Sequence, residues 1–246
     1  MNIRAGEKQY FSDNLMRDLT RLNVSDLPGT ETEVRKISKL MQDNGWAVKT
    51  FVGDSALEEV IKAIDSPRIL HIATHGYFLS DLELNKQYER GQITSKAFGI
   101  ETYKAYENPL LRSGLLFAGA ERGLDTNFTP SSNTDNGILT AYEAMNLNLD
   151  NTELVVLSAC KTGLGQVRNG EGVYGLQRAF IVAGAKTIIM SLWKVNDEAT
   201  QELMTSFYTK WLSGMTKREA FKDARNEIRA KYKYPYFWGA FVMVGE

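Results

Sequence analysis

The sequence predicts an α/β domain built on a mostly parallel sheet with helices on both faces. Two short apolar runs, Ile69 to Gly76 (ILHIATHG) and Leu154 to Cys160 (LVVLSAC), have the continuous hydrophobicity of strands buried on both sides. A third, Thr187 to Trp193 (TIIMSLW), has the same character. The stretches between them carry apolar residues at helical spacing behind helix-start signals, so strands alternate with amphipathic helices.

In chain order, Met1 to Asp26 is polar with a weak apolar stripe of Phe11, Leu15, Leu19 and Leu22. It is expected to be a leader or docking helix ahead of a domain spanning residues 27–246. After Pro28 and Gly29, Thr30 with Glu33 reads as a capping box, Val34, Ile37, Leu40 and Met41 form one apolar face, and Gly45 closes the helix. Trp46 to Phe51 reads as a strand. A second box, Ser55 with Glu58, opens a helix with Leu57, Val60, Ile61 and Ile64 facing inward until Pro67. The His75 strand follows.

Ser80 to Asn136 is the least regular part, charged and Tyr-rich from Asp81 to Asn108 and loop-like from Gly123 to Asn136. Between these, Ser113 to Ala120 predicts a strand paired with residues near Gly137 to Thr140. The segment begins five residues after His75 and is expected to overhang any site there, shaping or blocking it; a plain solvated loop is the alternative. Beyond Cys160 come Gly163, Gly165, Gly170 and Gly172, a pattern that invites phosphate binding. It lacks the Gly-Lys-Ser/Thr ending and the Gly-x-Gly-x-x-Gly spacing of phosphate loops.

Val173, Leu176, Phe180 and Val182 then line a helix capped by Gly184, and Leu203, Met204, Phe207, Tyr208 and Trp211 line the next. A third capping box, Thr216 with Glu219, starts a helix that buries Phe221, Ala224 and Ile228. Its outer face is basic but interleaved with Glu219, Asp223 and Glu227, which reads as a salt-bridged solvated face and not a nucleic-acid surface. Tyr236, Phe237 and Trp238 read as packing, and Phe241 to Val244 closes the sheet.

Ligands of parallel sheets bind beyond the carboxyl ends of the strands, where His75 and Cys160 both fall. A free thiol is a few per cent thiolate at neutral pH; an adjacent imidazole lowers its pKa and can protonate a leaving amine. The amides of Gly76 and Cys160 would hold the developing oxyanion, and amide hydrolysis is the reaction such a set serves. The competing interpretation is a buried cysteine and a hydrogen-bonded core histidine. His71, four residues before His75, lies too far down a strand rising about 3.3 Å per residue to share a metal ion with it, so it is expected to be structural, with no metal and no cofactor.

With 246 residues, 43% hydrophobic and 24% charged, the chain can bury a sizeable core. A net charge of −1 gives no footprint for nucleic acid or an anionic membrane. The single cysteine excludes an internal disulfide and suits a reducing compartment, and no apolar run is long enough to span a bilayer. The N-terminus does not read as a signal peptide, and the expected location is the cytoplasm.

Several longer motifs add to this. THG at Thr74, NPLLRSGLLFAGA at Asn108, DNGILTAYE at Asp135, LSACKTGLG at Leu157, NGEGVYGLQRAF at Asn169, AGAKTIIMSLWKVND at Ala183 and YPYFWGAFVMVGE at Tyr234 resemble the CHAT family, caspase-like and separase-like cysteine peptidases. The resemblance runs from about Leu27 to the end of the chain. It implies a caspase-like three-layer α/β/α sandwich, His75 as base, Cys160 as nucleophile, and a protein substrate cut at one or few sites. CHAT domains often follow tetratricopeptide repeats and act in bacterial signalling or defence, which implies an activating or repeat-containing partner. Trp193, Val195 and Asp197 resemble a separase pattern whose acid faces an arginine before the scissile bond, making Asp197 a candidate for selecting Arg or Lys. Asp197 fits equally as the N-cap of the following helix. Two other classes stay open: a catalytically silent scaffold that binds partners, and a nucleotide-binding domain using the glycine-rich loop.

Overall fold

The computed structural model describes residues 28–78, 96–97, 100–101, 110, 113–123, 135–158, 171–193 and 196–245. The elements run α1 (Pro28–Asp43), α2 (Glu58–Lys62), β1 (Ile69–Ile72), β2 (His75–Phe78), β3 (Lys96–Ala97), β4 (Ile100–Glu101), β5 (Ser113–Leu116), α3 (Ala120–Gly123) and β6 (Ile138–Thr140). They continue with α4 (Ala141–Ala144), β7 (Leu154–Leu157), α5 (Glu171–Val182), β8 (Thr187–Ser191), α6 (Asp197–Leu212), α7 (Lys217–Lys231), α8 (Pro235–Trp238) and β9 (Phe241–Gly245). The expected leader helix within Met1 to Asp26, most of the irregular segment, Cys160 and most of the glycine-rich loop lie outside the described residues.

Four strands in the order β1-β7-β8-β9 form the central sheet, parallel except for β9. Successive side chains point to opposite faces, and both faces are covered. Leu154, Val156, Ile189 and Phe241 pack against α1, α6 and α7 through Ile37, Met41, Leu203, Phe207, Phe221 and Ile228. Leu70, Ile72, Val155, Leu157, Ile188 and Met190 pack the other way, against Ala144, Leu176 and Phe180 of α4 and α5. The expected three-layer sandwich is the observed architecture.

A second sheet, β2-β5-β6, is wholly antiparallel, and β5 pairs with β6 as expected, Leu115 facing Leu139. The strand is shorter than predicted: it ends at Leu116, and Ala120 begins a helical turn.

Several local expectations are corrected. Trp46 to Phe51 forms no strand; Trp46 N–H bonds back to Met41 C=O at 3.0 Å and Thr50 bonds to Ser38 at 2.8 Å, so the segment runs along α1. Glu33 does not cap α1, because its carboxylate is turned inward to the sheet. Ser55 belongs to a separate 3-10 turn, Leu57 is the N-cap of α2 without a side-chain bond, and Glu58 bonds elsewhere. Val182 at the end of α5 is 66% exposed, whereas Leu176 and Phe180 are buried. The third capping box is present as read, Thr216 and Glu219 bonding reciprocally at the start of α7. The ion pairs of that helix reach across to α6, Glu227 to Lys210 and Lys231 to Glu202.

Candidate active site

The parallel pairing of β1 and β7 sets Ile72 opposite Leu157, and Ser158 N–H donates to Ile72 C=O at 2.8 Å, extending the ladder by one bond. His75 lies three residues beyond Ile72 and Cys160 three beyond Leu157 in the sequence. Between Ile72 and His75 the chain leaves the central sheet. The Thr74 hydroxyl donates to Leu116 C=O, and His75 then opens β2, opposite Leu116 of β5. The expected single strand through His75 is therefore two strands in two sheets. His75 is half-buried; Gly76 is buried opposite Leu115.

Behind these strand ends is a polar network that the sequence did not announce. Glu33 of α1 is 3% exposed, and its two carboxylate oxygens serve two strands. Oε1 accepts from His71 Nε2–H of β1 at 3.0 Å, and Oε2 accepts from the Ser158 hydroxyl at 3.0 Å. A carboxylate only accepts, so Nε2 carries the proton, and in the neutral ring Nδ1 accepts from the Tyr208 hydroxyl of α6, 3.1 Å away. His71 is thus tied through both ring nitrogens, to α1 and to α6. Burial and the nearby Glu33 charge hold the Tyr208 phenol well above its ordinary value. The signal for Glu33 was its spacing: it shares one helical stripe with the buried Ile37 and Met41.

Asp197 is the first residue of α6. The cap is its neighbour Asn196, whose Oδ1 accepts from Ala199 N–H at 3.1 Å, so the N-cap alternative for Asp197 is corrected. Its side chain lies against the first turn of α1: a Cβ added at Gly29 would stand 2.5 Å from Asp197 Oδ2, and only glycine permits the approach.

A second charged centre supports the small sheet. Glu58 of α2 is 1% exposed; its Oε2 accepts from Ile138 N–H at 3.0 Å and its Oε1 lies 2.5 Å from Lys62 Nζ. Lys62 also reaches Asp135 at 3.2 Å and Glu143 at 3.1 Å, while Glu59 accepts from Asp135 N–H at 2.9 Å. Burial pushes the Glu58 carboxyl up to about 7 against the opposing pull of Lys62. For Lys62, burial opposes the charge, but Glu143, Glu58 and Asp135 outweigh it and hold the ammonium above its ordinary value. Tyr77, two residues after His75 on β2, is 1% exposed, and its hydroxyl has no hydrogen-bond partner among the described residues.

Of the residues singled out from sequence, His75 and Gly76 are thus adjacent on β2, Asp197 stands at the start of α6 against α1, and Cys160 lies outside the described residues, beyond β7. Among the described residues no helix is long and apolar enough to cross a membrane. The chain is 27% identical over 223 residues to human (Homo sapiens) tetratricopeptide repeat protein 28, covering 89% of this chain and 8% of that protein. It is 26% identical to the mouse (Mus musculus) protein of the same name over 223 residues, with the same coverage. The chain thus spans less than a tenth of the length of these relatives. A family model for the CHAT domain matches residues 6–246. With that match across nearly its whole length and a caspase-like α/β/α fold, the chain belongs to the CHAT domain family, which is related to the caspase-like peptidases.

Proposed function

We propose that the chain is a cysteine endopeptidase acting through His75 and Cys160 on a protein substrate. The observation that carries this reading is the register of β1 against β7, which sets Ile72 opposite Leu157, each three residues before a member of the pair. His75 takes the thiol proton, the Cys160 thiolate attacks the scissile carbonyl, and the Gly76 and Cys160 amides hold the oxyanion. Collapse breaks the C–N bond as His75 returns the proton to the leaving amine. Water, deprotonated by His75, then cleaves the thioester and restores the thiol.

Asp197 is assigned the selection of Arg or Lys before the scissile bond; with Asn196 as the helix cap, its carboxylate is not committed to capping α6. The tetratricopeptide relatives support a repeat-containing or other activating partner, covalently joined or separate. The test is mass-spectrometric labelling with a peptidyl acyloxymethyl ketone carrying arginine, compared with one carrying aspartate. The expected result is one adduct at Cys160 that prefers arginine and disappears in Cys160→Ala and His75→Ala. Labelling at Cys160 unaffected by His75→Ala would contradict the dyad, and equal labelling by both probes would contradict the role of Asp197.

A further inference from the structure

The proposed dyad, on which this inference rests, needs the ends of β1 and β7 to keep a fixed relation, because one leads to His75 and the other to Cys160. Glu33 bonds to both: to His71 within β1 and to Ser158 immediately beyond β7. Its side chain is 4% exposed and that of His71 10%, so the bridge is shielded from bulk solvent. Stability is a poor reason for such a carboxylate. The stripe it shares with Ile37 and Met41 would accept an apolar residue, and a buried ionised group repays its desolvation only through well-made hydrogen bonds. What the carboxylate supplies that an apolar side chain cannot is direction, since each oxygen fixes one donor on one strand. The Tyr208 hydroxyl anchors the far nitrogen of His71, so α6 holds the bridge from the other side.

We infer that Glu33 is a positioning residue for the dyad: by joining His71 of β1 to Ser158 beyond β7, it sets the separation of the two strand ends that deliver His75 and Cys160. The bond to Ser158 is the decisive half. Ser158 is held to β1 through its amide and to α1 through its hydroxyl, two residues before the nucleophile. Misplacement of a reacting group by about 1 Å costs up to a hundredfold, so a slack strand end would register in the chemistry.

Cys160 is the sole cysteine, so alkylation of the full chain by iodoacetamide, followed by intact mass, reads that thiol alone. The quantity measured is the factor by which His75→Ala slows alkylation at pH 7, expected to be about tenfold in the otherwise wild-type chain. Ser158→Ala is expected to shrink that factor to about twofold, and Glu33→Leu, which suits the apolar stripe, to do the same. Glu33→Gln can still accept from Ser158, and it donates to His71 Nε2 once the ring proton sits on Nδ1 and is given to the Tyr208 hydroxyl oxygen; it is expected to keep the factor within about threefold of wild type. Circular dichroism and thermal unfolding verify that each variant is folded. Folded Ser158→Ala or Glu33→Leu chains that retain the full His75 factor would overturn the positioning role and leave the dyad standing. A wild-type chain whose alkylation ignores His75→Ala would overturn the dyad and the positioning with it.

Discussion

The central sheet and the small antiparallel sheet are held together by different forces. Leu154, Val155, Val156, Ile188 and Ile189 of the central sheet are all fully buried, and helices cover both of its faces, so apolar burial holds it. The small sheet lends Leu115 and Leu139 to the same core, but its last strand is fastened by charge: Glu58 holds the Ile138 amide and Lys62 ties Glu58 to Asp135 and Glu143. The central sheet also carries the Glu33 bridge to His71 and Ser158, whereas the small sheet is fastened by Glu58, whose raised carboxyl pKa makes that fastening depend on pH. In the proposed mechanism the nucleophile follows a strand of the first and the base stands on the second.

The largest effect is expected in the apolar half. Phe207 is fully buried, stacked on Trp211 and edge-on to Phe221, and Phe207→Ala is expected to cost about 3–5 kcal/mol. Urea unfolding should give the same loss at pH 5.5 and pH 8; a strongly pH-dependent loss would blur the contrast between the sheets.

Next comes the charged half. Lys62→Met leaves Glu58 buried without its cation and is expected to cost about 3 kcal/mol at pH 8. Folded Glu58 titrates near 7 and unfolded Glu58 near its ordinary 4.5, so between those values the folded state holds more protons. The stability contributed by this group is therefore greatest below about 4.5, falls as pH rises through 7, and is flat above. Removing Lys62 removes what holds Glu58 down, so the fall continues to higher pH and the variant loses less at pH 5.5 than at pH 8. Equal losses at both pH values would show that the small sheet does not depend on this charge cluster.

Smaller effects sharpen the same contrast. Thr216→Ala deletes the cap of α7, on a helix of the central sheet's outer layer, and is expected to cost about 1 kcal/mol. Tyr77→Phe on the small sheet removes a buried hydroxyl without a partner among the described residues, and is expected to be neutral or stabilising by up to about 1 kcal/mol. A clear loss of melting temperature in Tyr77→Phe would mean that the hydroxyl is satisfied after all.

The same division explains what was legible in the sequence. Strands buried on both faces are continuous apolar runs, so LVVL and TIIM stand out, and the expected pairing of Ser113 to Ala120 with residues near Gly137 to Thr140 is met over a shorter stretch, Gly114 to Leu116 against Ile138 to Thr140. Identical capping patterns had different outcomes. Thr216 with Glu219 is exposed and closes on itself, whereas Glu33 and Glu58 are claimed by His71, Ser158, Ile138 and Lys62. For Glu33 and Ile138 the partners lie far along the chain, beyond the reach of a local pattern. The sequence singles out His75 and Cys160 by their places at the close of apolar runs and through family motifs; His75 opens β2, and Cys160 lies outside the described residues. Ser158 and Tyr208 read only as a small residue in an apolar run and a core aromatic, because nothing local distinguishes a hydroxyl with a remote partner.

The most direct test of a base on one sheet serving a thiol beyond the other is the pH dependence of Cys160 alkylation in the full chain, with and without His75→Ala. It requires neither substrate nor activator. The expected wild-type midpoint is well below the ordinary thiol value of about 8.5, returning to about 8.5 in His75→Ala. Superimposable profiles with a midpoint at or above that value would contradict it.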